Sequence, residues 1–152
     1  MLSEILIRFE SGHKFEGKSF QRFQGATGLY FIYCESAQIQ YPFGKSRLLY
    51  IGMSEKKTNS IARRLQDHFD GSSGNLGLAN YGQLDQIFFT VLNSQMLKSF
   101  WREKVELLES SFILDFVRNY GVYPICNNKR GIEANQPGHE STMTIDWKFF
   151  EK

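Results

Sequence analysis

Cysteine and proline are both scarce in this 152-residue chain, with two of the first and three of the second. Cys34 and Cys126 each lie inside an apolar segment, the setting of buried reduced thiols rather than of a disulfide or a metal pair. No histidine or cysteine spacing matches a zinc site, and His13 and His139 stand in Gly-rich segments with no second ligand nearby in sequence. No apolar run approaches the ~20 residues that a membrane span requires. The opening MLSEILIRFESGHK carries acidic residues and too short an apolar run for a signal peptide. A cytoplasmic, reducing setting without a membrane partner is therefore expected. Charge of one sign is also in short supply: the formal net charge is +2, so a polyanionic partner would have to be met by a local patch. There is no internal repeat, low-complexity tract or Pro/Gly/Ser linker, which points to a single domain over residues 1–152.

Aromatic residues, by contrast, are abundant at 15%, with fourteen Phe and seven Tyr, and imply a dense core. GLYFIYC at 28–34 and LLYIGM at 48–53 combine aromatic and β-branched residues and predict two strands, antiparallel across a loop at 35–47. IARRLQDHF at 61–69 predicts a helix capped by the preceding SEKKTNS, with Ile61, Leu65 and Phe69 as its buried stripe. Residues 70–82 read as a Gly-rich loop with no phosphate-loop lysine after it. QIFFTVL at 86–92 predicts a third strand, and 95–121 a long helix ending at Gly121. A short strand is expected at 5–9, and the DWKFF segment at 146–150 is expected to dock on the body. The order strand, strand, helix, strand, helix predicts a small α+β domain whose mostly antiparallel three-stranded sheet is flanked by helices.

Glu109 is the most informative single position. On the long helix Trp101, Val105, Leu108, Phe112 and Phe116 share one face at about 100° per residue, and Glu109 projects onto it beside Ile113 and Phe116. A carboxylate so placed is costly unless it is paired, reaches water or holds a metal. A lone carboxylate suits Mg²⁺ when phosphate and water complete the octahedron. Lys56, Lys57, Arg63 and Arg64 form the strongest basic cluster, either a solvated helix face or a phosphate-binding one. Arg64 and His68 stand one above the other on the helix, and a planar guanidinium can bind two phosphate oxygens at once. Asn127 follows PIC as a turn cap or as a residue that orders a site. Tyr30 and Tyr50 are either core aromatics or phenols that nearby cations would turn into proton acceptors.

Taken in order, Gly28-Leu29-Tyr30, Tyr50-Ile51-Gly52, Arg64-Leu65-Gln66-Asp67-His68, Glu109 and Pro124-Ile125-Cys126-Asn127 resemble the GIY-YIG nuclease superfamily. The resemblance marks 27–128 as a nuclease core, with 1–26 as a lead-in and 129–152 as a C-terminal extension. It implies a small sheet flanked by helices and the hydrolysis of DNA phosphodiesters with one divalent metal, Mg²⁺ or Mn²⁺. It implies Glu109 as the metal ligand and Arg64 as the phosphate-binding residue. Tyr30 and Tyr50 would frame the attacking water, one of them as general base with Tyr30 preferred, and His68 and Asn127 would keep the site in order. Gly52 would permit close approach of the backbone, and Lys56, Lys57 and Arg63 would contact substrate. No small-molecule cofactor is implied.

The first motif reads GLY rather than GIY, and Met53 follows YIG where relatives often carry a small, polar or basic residue. No separate DNA-reading domain is visible, so a preference for particular duplex or branched DNA would reside in the loops, the extension or a homodimer. Two other readings share the scaffold: a non-catalytic nucleic-acid-binding or protein-interaction module, and an RNA-cleaving enzyme.

Overall fold

The computed structural model describes residues 3–98, 101, 105–127 and 141–152. In chain order they form β1 (Ser3–Ile7), β2 (His13–Lys14), the single turn α1 (Gly17–Phe20), β3 (Gly28–Cys34), β4 (Ile39–Tyr41), β5 (Gly44–Ser46) and β6 (Leu48–Ser54). There follow α2 (Ile61–Phe69), α3 (Leu76–Leu84), β7 (Ile87–Asn93), α4 (Ser94–Leu97), α5 (Val105–Tyr120) and β8 (Ser141–Ile145). The class is α+β, with a mostly antiparallel sheet flanked by helices.

All seven residues of β3 are buried, which is why GLYFIYC reads as an unbroken apolar run rather than an alternation. The strand lies inside the main sheet, between β6 and β7, and pairs antiparallel with both. The register sets Tyr30 opposite Gly52 and Ile32 opposite Tyr50. Because side chains alternate along a strand, Tyr30, Ile32, Tyr50 and Gly52 share one face, where Tyr30 meets α2 through His68. Phe31 points the other way, its ring 5.8 Å from Phe112 of α5 and 6.2 Å from Phe150.

Among the described residues the main sheet has four strands, not three, in the order β2-β7-β3-β6. The addition is β2, where His13 pairs with Phe89 and Lys14 with Phe88. Two residues are too few to carry a periodic signal. The expected loop at 35–47 contains the β4–β5 hairpin. The Gly-rich 70–82 segment gives way to α3, which Asn75 caps by accepting the Leu78 N–H at 3.1 Å. The helix expected over 95–121 starts as α4, and the amides of Lys98 and Trp101 bond back to Ser94 and Leu97 at 2.8 Å each. Residues 99, 100 and 102–104 lie outside the described residues, and α5 then covers Val105–Tyr120, with Gly121 at φ +94° as its stop.

On α2 the buried residues are Ile61, Leu65 and His68, while Phe69 is 52% exposed. The inward stripe thus steps by four and then three, and the imidazole takes the place expected for the phenyl ring. The strand expected at 5–9 lies at Ser3–Ile7 and pairs in parallel with β8. The DWKFF segment docks: Trp147 and Phe150 are buried, and Arg47 donates from its main chain to the Phe150 carbonyl at 2.7 Å and from Nη2 to that of Phe149 at 2.9 Å. Cys34 and Cys126 are both buried and free. His139 and the rest of 128–140 lie outside the described residues. Among the described residues no helix is long and apolar enough to cross a membrane.

Candidate functional site

Tyr30 leaves the centre of β3 on the α2 face and is fully buried. Its ring lies over Gly52, the residue opposite it on β6: a Cβ built there would sit 2.3 Å from Tyr30 Cζ and 2.4 Å from its hydroxyl oxygen. The glycine of the YIG stretch is therefore a space requirement imposed by the tyrosine of the GLY stretch. The Tyr30 hydroxyl is 3.0 Å from His68 Nε2, and His68 Nδ1 is 2.8 Å from Ser73 Oγ. Tyr50, half-buried, completes an aromatic group, its ring 6.0 Å from that of Tyr30 and 4.9 Å edge-on to His68.

The charges around this group are few and close. Burial holds the Tyr30 hydroxyl far above the ordinary tyrosine range; Tyr50 adds to that, and the Arg64 guanidinium opposes it. Burial also raises Tyr50, followed by the negative charge of Glu109, again against Arg64. His68 is pulled down to about 4, first by burial and then by Arg64, so its ring is neutral near pH 7. Arg64 has a buried Nε with no hydrogen-bond partner among the described residues. Such a donor fits an anion, since an unpaired buried N–H is otherwise a net cost.

Tyr50, Arg64, Asp67, His68 and Ser73 line an open concavity of about 270 Å³. Glu109 stands on the buried face of α5, 7% exposed, close enough for its charge to act on Tyr30, Tyr50 and Arg64. Among the described residues no group of three or more His, Cys, Asp or Glu side chains assembles into a metal cage. A single carboxylate nonetheless suits Mg²⁺, which binds through one or two carboxylates and keeps the rest of its sphere for water and substrate phosphate.

Asn127 is buried and grips the edge of β6. Its Oδ1 accepts the Ile51 N–H at 3.0 Å and its Nδ2 donates to the Ile51 carbonyl at 2.9 Å. One side-chain amide thereby does for Ile51 what another strand would do, immediately before Gly52. The remaining predicted contacts fall elsewhere. Lys57 and Arg63 line a separate groove of about 320 Å³ with Gln21, Gln24 and Gln66, and Lys56 is exposed and lines neither space. Arg63 pairs with Asp67 at 3.5 Å. The turn of α2 thus sends Arg63 and Arg64 to different spaces, and of the four basic residues only Arg64 lines the concavity.

Two wall residues, Asp67 and Ser73, carry no sequence signal for this place. Asp67 is one charge among several on a polar helix face, and Ser73 sits in a Gly-rich turn without period. Comparison with protein-family models, curated proteins and solved structures gives no match.

Proposed function

We propose that this protein is a GIY-YIG-type endonuclease that hydrolyses phosphodiester bonds in DNA with Mg²⁺ or Mn²⁺. What carries the proposal is the convergence of two phenols, a neutral imidazole and a guanidinium beside one concavity, with the Glu109 carboxylate in electrostatic reach. These groups come from β3, β6, α2 and α5, separated by long stretches of chain.

In this reaction water oxygen forms a bond to phosphorus and the bond from phosphorus to the 3′ oxygen breaks, leaving a 5′-phosphate and, after a proton from solvent, a 3′-hydroxyl. Negative charge builds on the non-bridging oxygens, and Arg64 meets it with a planar fork of N–H donors. The water must also lose a proton. Tyr50 is the phenol on the concavity wall, while Tyr30 is enclosed behind it, their rings 6.0 Å apart. We assign Tyr50 to meet the water and Tyr30 to pass a proton on to His68 Nε2, which is neutral and can accept it. Burial keeps both phenols protonated in the resting protein, so positive charge is required to draw the proton away. Arg64 supplies part of it, and Glu109 is the residue that would hold Mg²⁺ or Mn²⁺, whose Lewis acidity supplies the rest.

The test is a cleavage panel of plasmid, branched and single-stranded DNA, with RNA alongside, in the presence and absence of Mg²⁺. Wild type should cut DNA, and Glu109→Ala should lose about a hundredfold or more in rate. Uncut DNA, or Glu109→Ala cutting as well as wild type, refutes the proposal. Salt-sensitive binding without cleavage would mark a nucleic-acid-binding module, and cleavage of RNA alone would change the substrate.

A further inference from the structure

The Gly-rich turn after α2 is held in shape by its own hydrogen bonds. Gly71 and Gly74 adopt positive φ of +86° and +73°. Just before them Asp70 Oδ1 accepts from both the main-chain N–H and the hydroxyl of Ser72, at 3.0 and 2.6 Å. The Ser73 N–H donates to the Asp67 carbonyl at 3.0 Å. Held this way, the turn presents Ser73 Oγ to His68 Nδ1 at 2.8 Å, and the same Oγ accepts the Asn75 N–H at 3.3 Å. Asn75 Nδ2 then donates to the Cys126 carbonyl at 2.9 Å, one residue before Asn127. The turn is thus tied on one side to His68 and on the other to the segment that grips β6.

A neutral imidazole carries its hydrogen on one nitrogen and accepts on the other. A phenol is a better hydrogen-bond donor than acceptor, and His68 Nε2 at 3.0 Å is the partner of the fully buried Tyr30 hydroxyl, so its hydrogen points to His68 Nε2. The imidazole hydrogen must then lie on Nδ1, directed at Ser73 Oγ. We propose that Ser73 is a positioning residue of the site: it accepts the Nδ1–H of His68 and so holds the ring in the tautomer that turns a bare Nε2 toward Tyr30. Its consequence for rate rests on the endonuclease function above, whereas its effect on the ring does not.

Long-range ¹H–¹⁵N spectra of the full chain labelled at histidine read the tautomer directly, with the His68 signals identified by their loss in His68→Gln. Wild type should show an unprotonated Nε2, Ser73→Ala a mixture of tautomers, and Ser73→Thr the wild-type pattern again. Ser73 is exposed, so the alanine variant disturbs no core, and a melting curve verifies its folding. In cleavage assays Ser73→Ala should lower kcat roughly two- to tenfold, the scale of one neutral hydrogen bond, with KM for DNA unchanged and kcat recovered by Ser73→Thr. A wild-type His68 protonated on Nε2, or a Ser73→Ala protein with an unaltered tautomer, overturns the assignment. If wild type cuts no nucleic acid, the endonuclease function fails, while the tautomer comparison still decides the role of Ser73.

Discussion

Replacing Gly52 with alanine should destabilise the protein, although the same change at an unconstrained site would do the reverse. Gly52 has no positive φ, so alanine is compatible with its backbone and would ordinarily stabilise by about 0.4–1 kcal/mol through the unfolded chain. Here the added methyl lies 2.3 Å from Tyr30 Cζ and 2.6 Å from Cε2, where carbon atoms prefer about 3.5–4.0 Å. Tyr30 is wholly enclosed and cannot swing aside without displacing its neighbours. Overpacking of this kind costs about 1–3 kcal/mol. A displaced ring also gives up its 3.0 Å bond to His68, worth about 1 kcal/mol more. With the ordinary gain subtracted, the net loss of roughly 1–3.5 kcal/mol should lower Tm by roughly 2–14 °C in a chain of this size. Thermal melts followed by circular dichroism measure it, and cleavage should fall in parallel because the clash is with a proposed proton carrier. In a Tyr30→Ala background the Gly52→Ala penalty should largely vanish, a coupling that a double-mutant cycle resolves. A Gly52→Ala protein that melts at or above wild type would refute the account of why glycine stands there.

Two other outcomes follow from the same neighbourhood. Asn127→Asp puts an oxygen where Nδ2 now donates to the Ile51 carbonyl, so it should cost about 2–4 kcal/mol in urea unfolding; an unchanged midpoint would show that the amide clamp does not hold β6. For His68 the folded value of about 4 lies below the ordinary 6.5, so the unfolded chain binds the proton more readily. Its neutral ring therefore contributes stability fully above about pH 6.5 that is lost as pH falls through about 4, about 3 kcal/mol in all. Denaturant curves at pH 7 and pH 4 should show a smaller acid-induced loss in His68→Gln than in wild type, and equal losses would contradict the burial assigned to this ring.

How far the fold could be read in advance depended on the strength of each local pattern. β3 and β6 are long, apolar runs, and α5 carries a regular buried face that includes Glu109, so composition placed the strands and periodicity placed the helix. α3 was missed because its end residues Leu76 and Leu84 are 75% and 80% exposed and only Leu78 is buried, which leaves no stripe to detect. The misplacement of Phe69 in the buried stripe has a different origin. A helix of 3.6 residues per turn allows steps of three or four, and only the face it packs against decides whether position 68 or 69 turns inward.

Composition and short-range pattern were enough to determine that this chain builds an aromatic core with buried thiols, strands at GLYFIYC and LLYIGM, and a helix that carries a carboxylate on its apolar side. Those properties depend on residues a few positions apart, where backbone geometry fixes which side chains share a face. That Tyr30 lies over Gly52, that His68 takes its hydroxyl, and that Ser73 backs His68 were decided only in the folded chain. Each depends on the register of β3 with β6 or on the seating of α2 and its turn against the sheet. Register and seating are set by the packing of side chains far apart in sequence, and no local pattern encodes them.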